Sequence, residues 1–433
     1  MSILRTWSWR AVLLVATIAI STGSAAGQAP AARVEEAVAA LTPRIVEIRH
    51  WIHQNPELSN REVQTAELVA GHLKALGIEV RTGIARTGVV GFLKGGRPGP
   101  VVALRADMDA LPVVEETSLP FKSTVRTTYN GQEVGVMHAC GHDVHTAVML
   151  GVASVLAPLR DELPGSVLFI FQPAEEGPPP GEEGGAALML AEGLFRDVRP
   201  SALFGLHSDA EMPVGQVGYT PGATNASNDN FVITLTGRQA HAAWPHLAVD
   251  PIVMASQAVL ALQTIRSRNL SPFAPSVITV AQIHGGLRDN IIPPEVKLSG
   301  TVRLFDPAAQ DEVERRMREI LDGIAKAAGG SFQLEYKRKV PVLRNDPELV
   351  RRMLPTVERT LGLEQVKQIP PAMASDDFGF FAAEVPAFFF HLGTVKPGTK
   401  SGSAHTATFL ADDGAIPVGI RVTSHLVLDY LQR

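Results

Sequence analysis

The chain is poor in cysteine: Cys140 is the only one in 433 residues, which excludes any intramolecular disulfide. It also lacks a basic excess. Lys and Arg total 39 against 44 Asp and Glu, a formal net charge of −5, and such a chain has no field suited to neutralising nucleic-acid phosphates. Aromatic residues make up 6%, too few to outline a ligand pocket from sequence. Long apolar runs are missing apart from Ala11 to Ile20 (AVLLVATIAI), and ten residues rise only ~15 Å as a helix against a ~30 Å hydrocarbon core. No later stretch reads as long and apolar enough to span a bilayer. What remains is ordinary globular material, 45% hydrophobic and 19% charged, with length for about three domains at ~150 residues each.

The short apolar run has a leader around it. Arg5 and Arg10 precede it, and STGSAAGQAP follows with the small residues a signal peptidase accepts, so cleavage is expected after Ala26 or Gly27. Residues 1–27 therefore read as a signal peptide, without the adjacent arginines of a twin-arginine signal or a following lipid-accepting Cys. The expected location is periplasmic or secreted, with no membrane association once the leader is removed. A lone thiol in an oxidising compartment is either a small buried hydrophobe or a thiolate held by a metal.

Beyond the leader, helical periodicity over 34–76 gives way to short apolar strands, VVGFLKG (89–95) and VVALRADMD (101–109). A helix is expected from about His145 to Leu159. SVLFIFQP (166–173) and ALFGLHS (202–208) read as strands buried on both faces, and the alternation implies an α/β architecture with a largely parallel sheet. The middle of the chain differs: strand (230–237), helix (about 250–267), two strands (276–286 and 295–305), helix after Asp306-Pro307, strand (331–339). That order describes a small α+β unit of four strands and two helices. The expected division is a catalytic unit over 31–221 and 340–433 with an insert over 222–339.

Potential ligands concentrate in MHACGHDVH (137–145). Cys140 and His142 are two residues apart, so an extended segment would aim both at one point, a pairing that suits a zinc-type ion. Buried Cys and hydrogen-bonded core His are also common, so this segment alone leaves a structural role open. FQPAEEG (171–177) places Glu175 and Glu176 directly after a buried strand, where one carboxylate can bind metal while its neighbour moves a proton. Glu182 and Glu183, in the Pro/Gly-rich loop after them, read as solvated. His207 ends an apolar run and His405 lies in SAHTATF. Together with Cys140, His142 and Glu176 they make five donors, too many for one four-coordinate ion with an open position and enough for two ions sharing a bridge.

These segments resemble a family. RADMDALP (105–112), MHACGHDVH, FQPAEEG, GLH (205–207), QAHAAWPHLAVDPI (239–252), GGLRDNIIP (285–293), GTVR (300–303), SDDFGFF (375–381) and HTATF (405–409) follow in order over almost the whole chain beyond the leader. The pattern is similar to the aminoacylase and glutamate-carboxypeptidase-like metallopeptidases, in particular the amidohydrolase branch that includes hippurate, N-acyl amino acid and indoleacetyl-amino acid hydrolases. The resemblance implies a di-metal exopeptidase-like catalytic domain with an inserted lid or dimerisation domain, two divalent ions per subunit (zinc or manganese), a small N-acyl amino acid or peptide-like substrate, and a homodimer. It implies Cys140, His142, Glu176, His207 and His405 as metal ligands and Glu175 as general base. It further implies His241 as an oxyanion-stabilising group reaching a partner's site, and Asn290 and Arg303 as the binders of the substrate carboxylate.

Departures from the family pattern stand at Arg105, where relatives outside this branch carry His, at Asp376, where Glu is usual, and at Ala407, where Pro is common. Asp107 is kept as a possible orienting group, and Asp143 and His145 as residues that order the loop. Two other readings remain at this point. In one, Cys140 acts as a nucleophile with His142 as its base; in the other, two domains close on a small ligand without chemistry.

Overall fold

The computed structural model describes residues 30–432, so the leader expected over 1–27 lies outside the described residues. Among the described residues, eight strands form the principal sheet, in the order Glu79–Ile84, Gly88–Leu93, Pro164–Gln172, Arg97–Asp107, Ala202–Pro213, Ala387–Val395, Val217–Tyr219, Val366–Gln368. The four central strands run parallel and the neighbours on either side pair with them antiparallel. Period-two alternation decides which side chains each face buries. Val102, Leu104, Phe169, Phe171, Phe388 and Phe390 enter one core with helices Pro30–Gln54, His142–Leu156 and Ala415–Gln432. Ala103, Leu168, Ile170 and Phe389 enter the other with the short helices Gly185–Ala191 and Phe378–Glu384. This is the α/β class expected from the alternation of apolar runs.

The stretch His142–Glu162 is, against the sequence reading, long and apolar enough to cross a membrane, yet 94% of its apolar 18-residue window (mean hydropathy 1.2) is buried within the protein. It is the central core helix. A helix packed on all sides needs apolar residues all round for the same reason a membrane helix does.

The chain leaves the large sheet through Gly222–Asn225 and returns through Leu343–Asn345, and these two short strands pair antiparallel. Between them lies a four-stranded antiparallel sheet, in the order Ser276–Gly285, Glu295–Leu304, Asn228–Thr236, Ser331–Val340. Helices Pro251–Thr264 and Pro307–Ala328 close a core of their own with Phe231, Ile233, Leu235, Leu298 and Val302. Both helices begin with Asp-Pro: Asp250 accepts from the backbone N–H of Ile252, and Asp306 from that of Ala308, while proline fills the first helical position where no N–H is needed.

Candidate metal centre

Asp107, at the end of its strand, pairs in register with Gln172, three residues before Glu175. His207 stands on the neighbouring parallel strand. The carboxyl ends of three adjacent strands thus converge on one crevice, the place where open parallel sheets build their sites. Helix His142–Leu156 brings the remaining segment. Gly141 caps it with φ +89°, so the Cys140–His142 stretch is a left-handed turn entering a helix, not the extended segment expected from spacing. A Cβ at Gly141 would overlap the Ser208 hydroxyl, so only glycine serves both the turn and the close approach.

The five expected donors come together. Cys140, His142 and His207 offer atoms within 4.8 Å of one another; so do Cys140, Glu176 and His405, and so do His142, Glu175 and Glu176. Cys140 Sγ lies 3.4 Å from His207 Nε2, and His405 Nε2 lies 3.1 Å from Glu176 Oε1. Glu175 Oε2 is 3.8 Å from His142 Nε2. His405 adopts φ +66°, a strained backbone for a residue with a Cβ, and its side chain is 53% exposed, so it stands on the open side of the crevice.

Hydrogen bonds fix which lone pairs face the centre. His142 Nδ1–H donates to the Asp109 carbonyl at 2.8 Å, and a carbonyl can only accept. His142 Nε2 is then a buried lone pair with no hydrogen-bond partner, an arrangement a cation would satisfy. His207 Nδ1–H likewise donates to the Ser208 carbonyl at 2.8 Å and leaves Nε2 for the centre. His145 differs: Nδ1 bonds Asp107 Oδ1 at 2.6 Å and Nε2 accepts from the Ser208 N–H at 2.8 Å. With both nitrogens engaged it orders the loop and has no lone pair to give a metal.

The electrostatics also call for cations. Burial disfavours the charged form of His142, yet Asp107 and Asp109 outweigh it and carry the imidazole up to about 10. That proton and a metal ion compete for one lone pair in a negative pocket. Burial, then Asp376, Glu176 and Asp377, push the Glu175 carboxyl well above its ordinary range. Burial, then Glu176, Glu175 and Asp107, push the Cys140 thiol up as well. Cys140 touches His207 rather than His142, the base that the nucleophile reading requires, and it stands inside the donor cluster with Glu176 and His405. A thiolate, imidazoles and carboxylates together are a donor set for zinc or manganese.

Two groups around the centre, Asp109 and Arg105, have contacts that the sequence did not assign. Asp109 Oδ2 accepts from Ser59 Oγ at 2.7 Å and from the Glu176 N–H at 3.0 Å. The fully buried Arg105 bonds Asp107 (2.6 Å), Gln172 (2.8 Å), Asp376 (3.1 Å) and Asp377 (3.2 Å). The signal available for both was a charge inside or at the end of an apolar strand, which is expensive unless it is paired. Glu182, expected in solvent, is tied to Arg61 at 2.6 Å and to Asn60 at 3.0 Å, while Glu183 is exposed.

The insert's three expected residues lie elsewhere. His241 and Asn290 are exposed near the ribbon of Ala240–His241 and Ile291–Ile292; the Ala242 N–H donates to the Asn290 carbonyl at 3.1 Å, and His241 Nδ1 accepts from the Ala243 N–H at 3.1 Å. Arg303 is half-buried and Nη1 donates to Ser375 Oγ at 2.7 Å.

The profile of peptidase family M20/M25/M40 matches residues 103–429. The chain belongs to that family. Among its M20 relatives, the thermostable carboxypeptidase 2 of Saccharolobus solfataricus is 36% identical over 391 residues, 89% of this chain and 95% of the relative. The N-acetylcysteine deacetylase of Bacillus subtilis is 36% identical over 392 residues, 90% and 97%. A solved Bacillus subtilis protein described as a dinuclear metal-binding peptidase of the M20 family superposes with a TM-score of 0.76 at 33% identity, covering 91% of this chain and 99% of that one. This M20 chain is an amide-bond hydrolase, and the reading of a ligand-binding protein without chemistry falls.

Proposed function

We propose that the protein removes the acyl group from small N-acyl amino acids, using two divalent metal ions held by Cys140, His142, Glu176, His207 and His405. The observation that carries this reading is the convergence of those five donors beside a separate carboxylate, Glu175, within one crevice. The names of the relatives support amide cleavage next to an amino acid, as a deacetylase or as a carboxypeptidase. When bound, the ions polarise the scissile carbonyl, acidify a water and draw Glu175 back to its ionised form.

The chain's own residues divide the remaining work. Glu175 takes the water's proton and delivers it to the leaving amine. Arg303, with Asn290, holds the substrate carboxylate; the planar guanidinium offers it a two-pronged hydrogen bond and so selects substrates with a free terminus. His241 steadies the developing oxyanion from across a homodimer, each subunit serving the other's site. The insert's exposed apolar side chains support such a dimer: Leu260 is 74% exposed and Phe273 92%. The leader-like residues 1–27 support export to a periplasmic or extracellular site.

The test is Glu175→Gln. The variant should keep its metal content by elemental analysis and lose at least ~10²–10⁴ in kcat on N-acetyl and N-benzoyl amino acids. Retained turnover would remove Glu175 from the base role. Comparing kcat/KM on N-acyl amino acids with that on dipeptides separates the deacylase from the carboxypeptidase reading.

A further inference from the structure

Glu62 is fully buried, yet it is neither a donor to the metal cluster nor part of any step above. Its two oxygens have distinct partners. Oε1 accepts from the backbone N–H of Ala174 at 2.8 Å, and Oε2 accepts from the Thr87 hydroxyl at 2.5 Å. Ala174 immediately precedes Glu175 and has φ +51°, a left-handed backbone that costs alanine more than glycine. The Ala174 carbonyl accepts from the Gly177 N–H at 3.3 Å, closing a tight turn around the two glutamates. On the far side of that turn, the Glu176 N–H is held by Asp109.

We infer that Glu62 is a positioning residue for the catalytic turn: by holding the Ala174 N–H it keeps Ala174 left-handed and so aims Glu175 at the metal cluster. A strained conformation persists only where its surroundings over-determine it. Here a buried carboxylate restrains one end of the turn and Asp109 the other, while Thr87 keeps the Glu62 side chain from rotating away. Glutamine at position 62 retains an acceptor for the Ala174 N–H; leucine fills similar space and offers none. The inference rests on Glu175 being the base, but the link it describes is visible without turnover.

The experiment compares Glu62→Leu, Glu62→Gln, Ala174→Gly and the Glu62→Leu/Ala174→Gly pair in the metal-loaded enzyme. Glu62→Leu should lower kcat by roughly 100-fold, the loss a displacement of about 1 Å brings, with KM and metal content close to wild type. Glu62→Gln should stay close to wild type. Ala174→Gly in the leucine background should restore about tenfold over Glu62→Leu alone, because glycine no longer resists the left-handed turn. Hydrogen exchange of a peptide spanning the turn should quicken in Glu62→Leu and not in Glu62→Gln. Wild-type kcat in Glu62→Leu, a loss confined to KM or metal content, a glutamine variant as poor as leucine, or no rescue by Ala174→Gly would each overturn the inference. If Glu62→Leu does not fold, Thr87→Val takes its place: it should lower kcat and quicken the same exchange, and no change in either would overturn the inference. Failure of the wild type to hydrolyse N-acyl amino acids would count against the proposed function alone, since the exchange comparison reads the Glu62–Ala174 link directly.

Discussion

Arg303 Nη1 donates to Ser375 Oγ across 2.7 Å, joining the inserted sheet to the loop that continues into Asp376 and Asp377. Those carboxylates are held by Arg105, and the Asp377 N–H approaches Glu175 Oε1 at 3.4 Å. The residue proposed to bind the substrate carboxylate is thus a short chain of contacts from the proposed base. Arg303→Lys keeps the charge and loses the two-pronged fork, so KM for an N-acyl amino acid should rise about 10–100-fold, with kcat moving far less. The corresponding N-acyl amino amide, lacking the carboxylate, should respond little to the substitution. Equal effects on both substrates would place Arg303 outside carboxylate binding.

Gly141→Ala should damage the centre from behind. The added methyl group meets a left-handed φ and the Ser208 hydroxyl, and Ser208 is the partner of His145. Metal affinity, measured by competition with a chelator, should fall about 10–100-fold, with about 1–3 kcal/mol of stability lost. Unchanged affinity would show that the turn has slack.

Removing the metals should lower the melting temperature. Asp107 and Asp109 are fully buried with Glu176 at the crevice beside them, and of the three Arg105 pairs with Asp107 alone. At a metal concentration about 1,000 times Kd, the lost binding energy corresponds to ~4 kcal/mol. Calorimetry with chelator, then with zinc or manganese added back, checks both the loss and its recovery; an unchanged transition would mean that the cluster holds no cation.

The pH dependence of stability should carry the signature of His53. Burial lowers its pKa, but Asp143 and then Glu115 outweigh that and bring it up to about 9 from 6.5. A pKa raised on folding stabilises fully below about 6.5, and the contribution, about 3 kcal/mol at most, is lost as pH climbs through 9. Urea titrations at pH 6, 7.5 and 9 should therefore show a decline that His53→Gln flattens; parallel declines in both proteins would assign the effect elsewhere.

Much of the fold was legible because its signals are local. An apolar run bounded by Gly and Pro, as in 166–173, reads as a strand whatever its neighbours are, and Asp250-Pro251 and Asp306-Pro307 carry their own capping chemistry. The residues gathered in the crevice were legible by type, as a thiol, imidazoles and adjacent carboxylates. The groups that orient them were not. Asp109 looks like any acid entering a loop until the Ser59 hydroxyl and the Glu176 N–H are both found on its Oδ2. Glu62 looks like a surface residue at the start of an amphipathic helix until Ala174, 112 positions away, is found on it.

Taken alone, then, the order of residues determined the layered α/β architecture with its insert, and the kinds of atom available to hold a cation, because propensity, capping and donor chemistry act over a few neighbouring residues. Only the tertiary structure decided that Gly141 turns left-handed under Ser208, that His145 spends both nitrogens on the protein, and that Arg303 reaches Ser375. Those outcomes depend on distances between segments remote in the chain, where a shift of one ångström makes or removes a hydrogen bond.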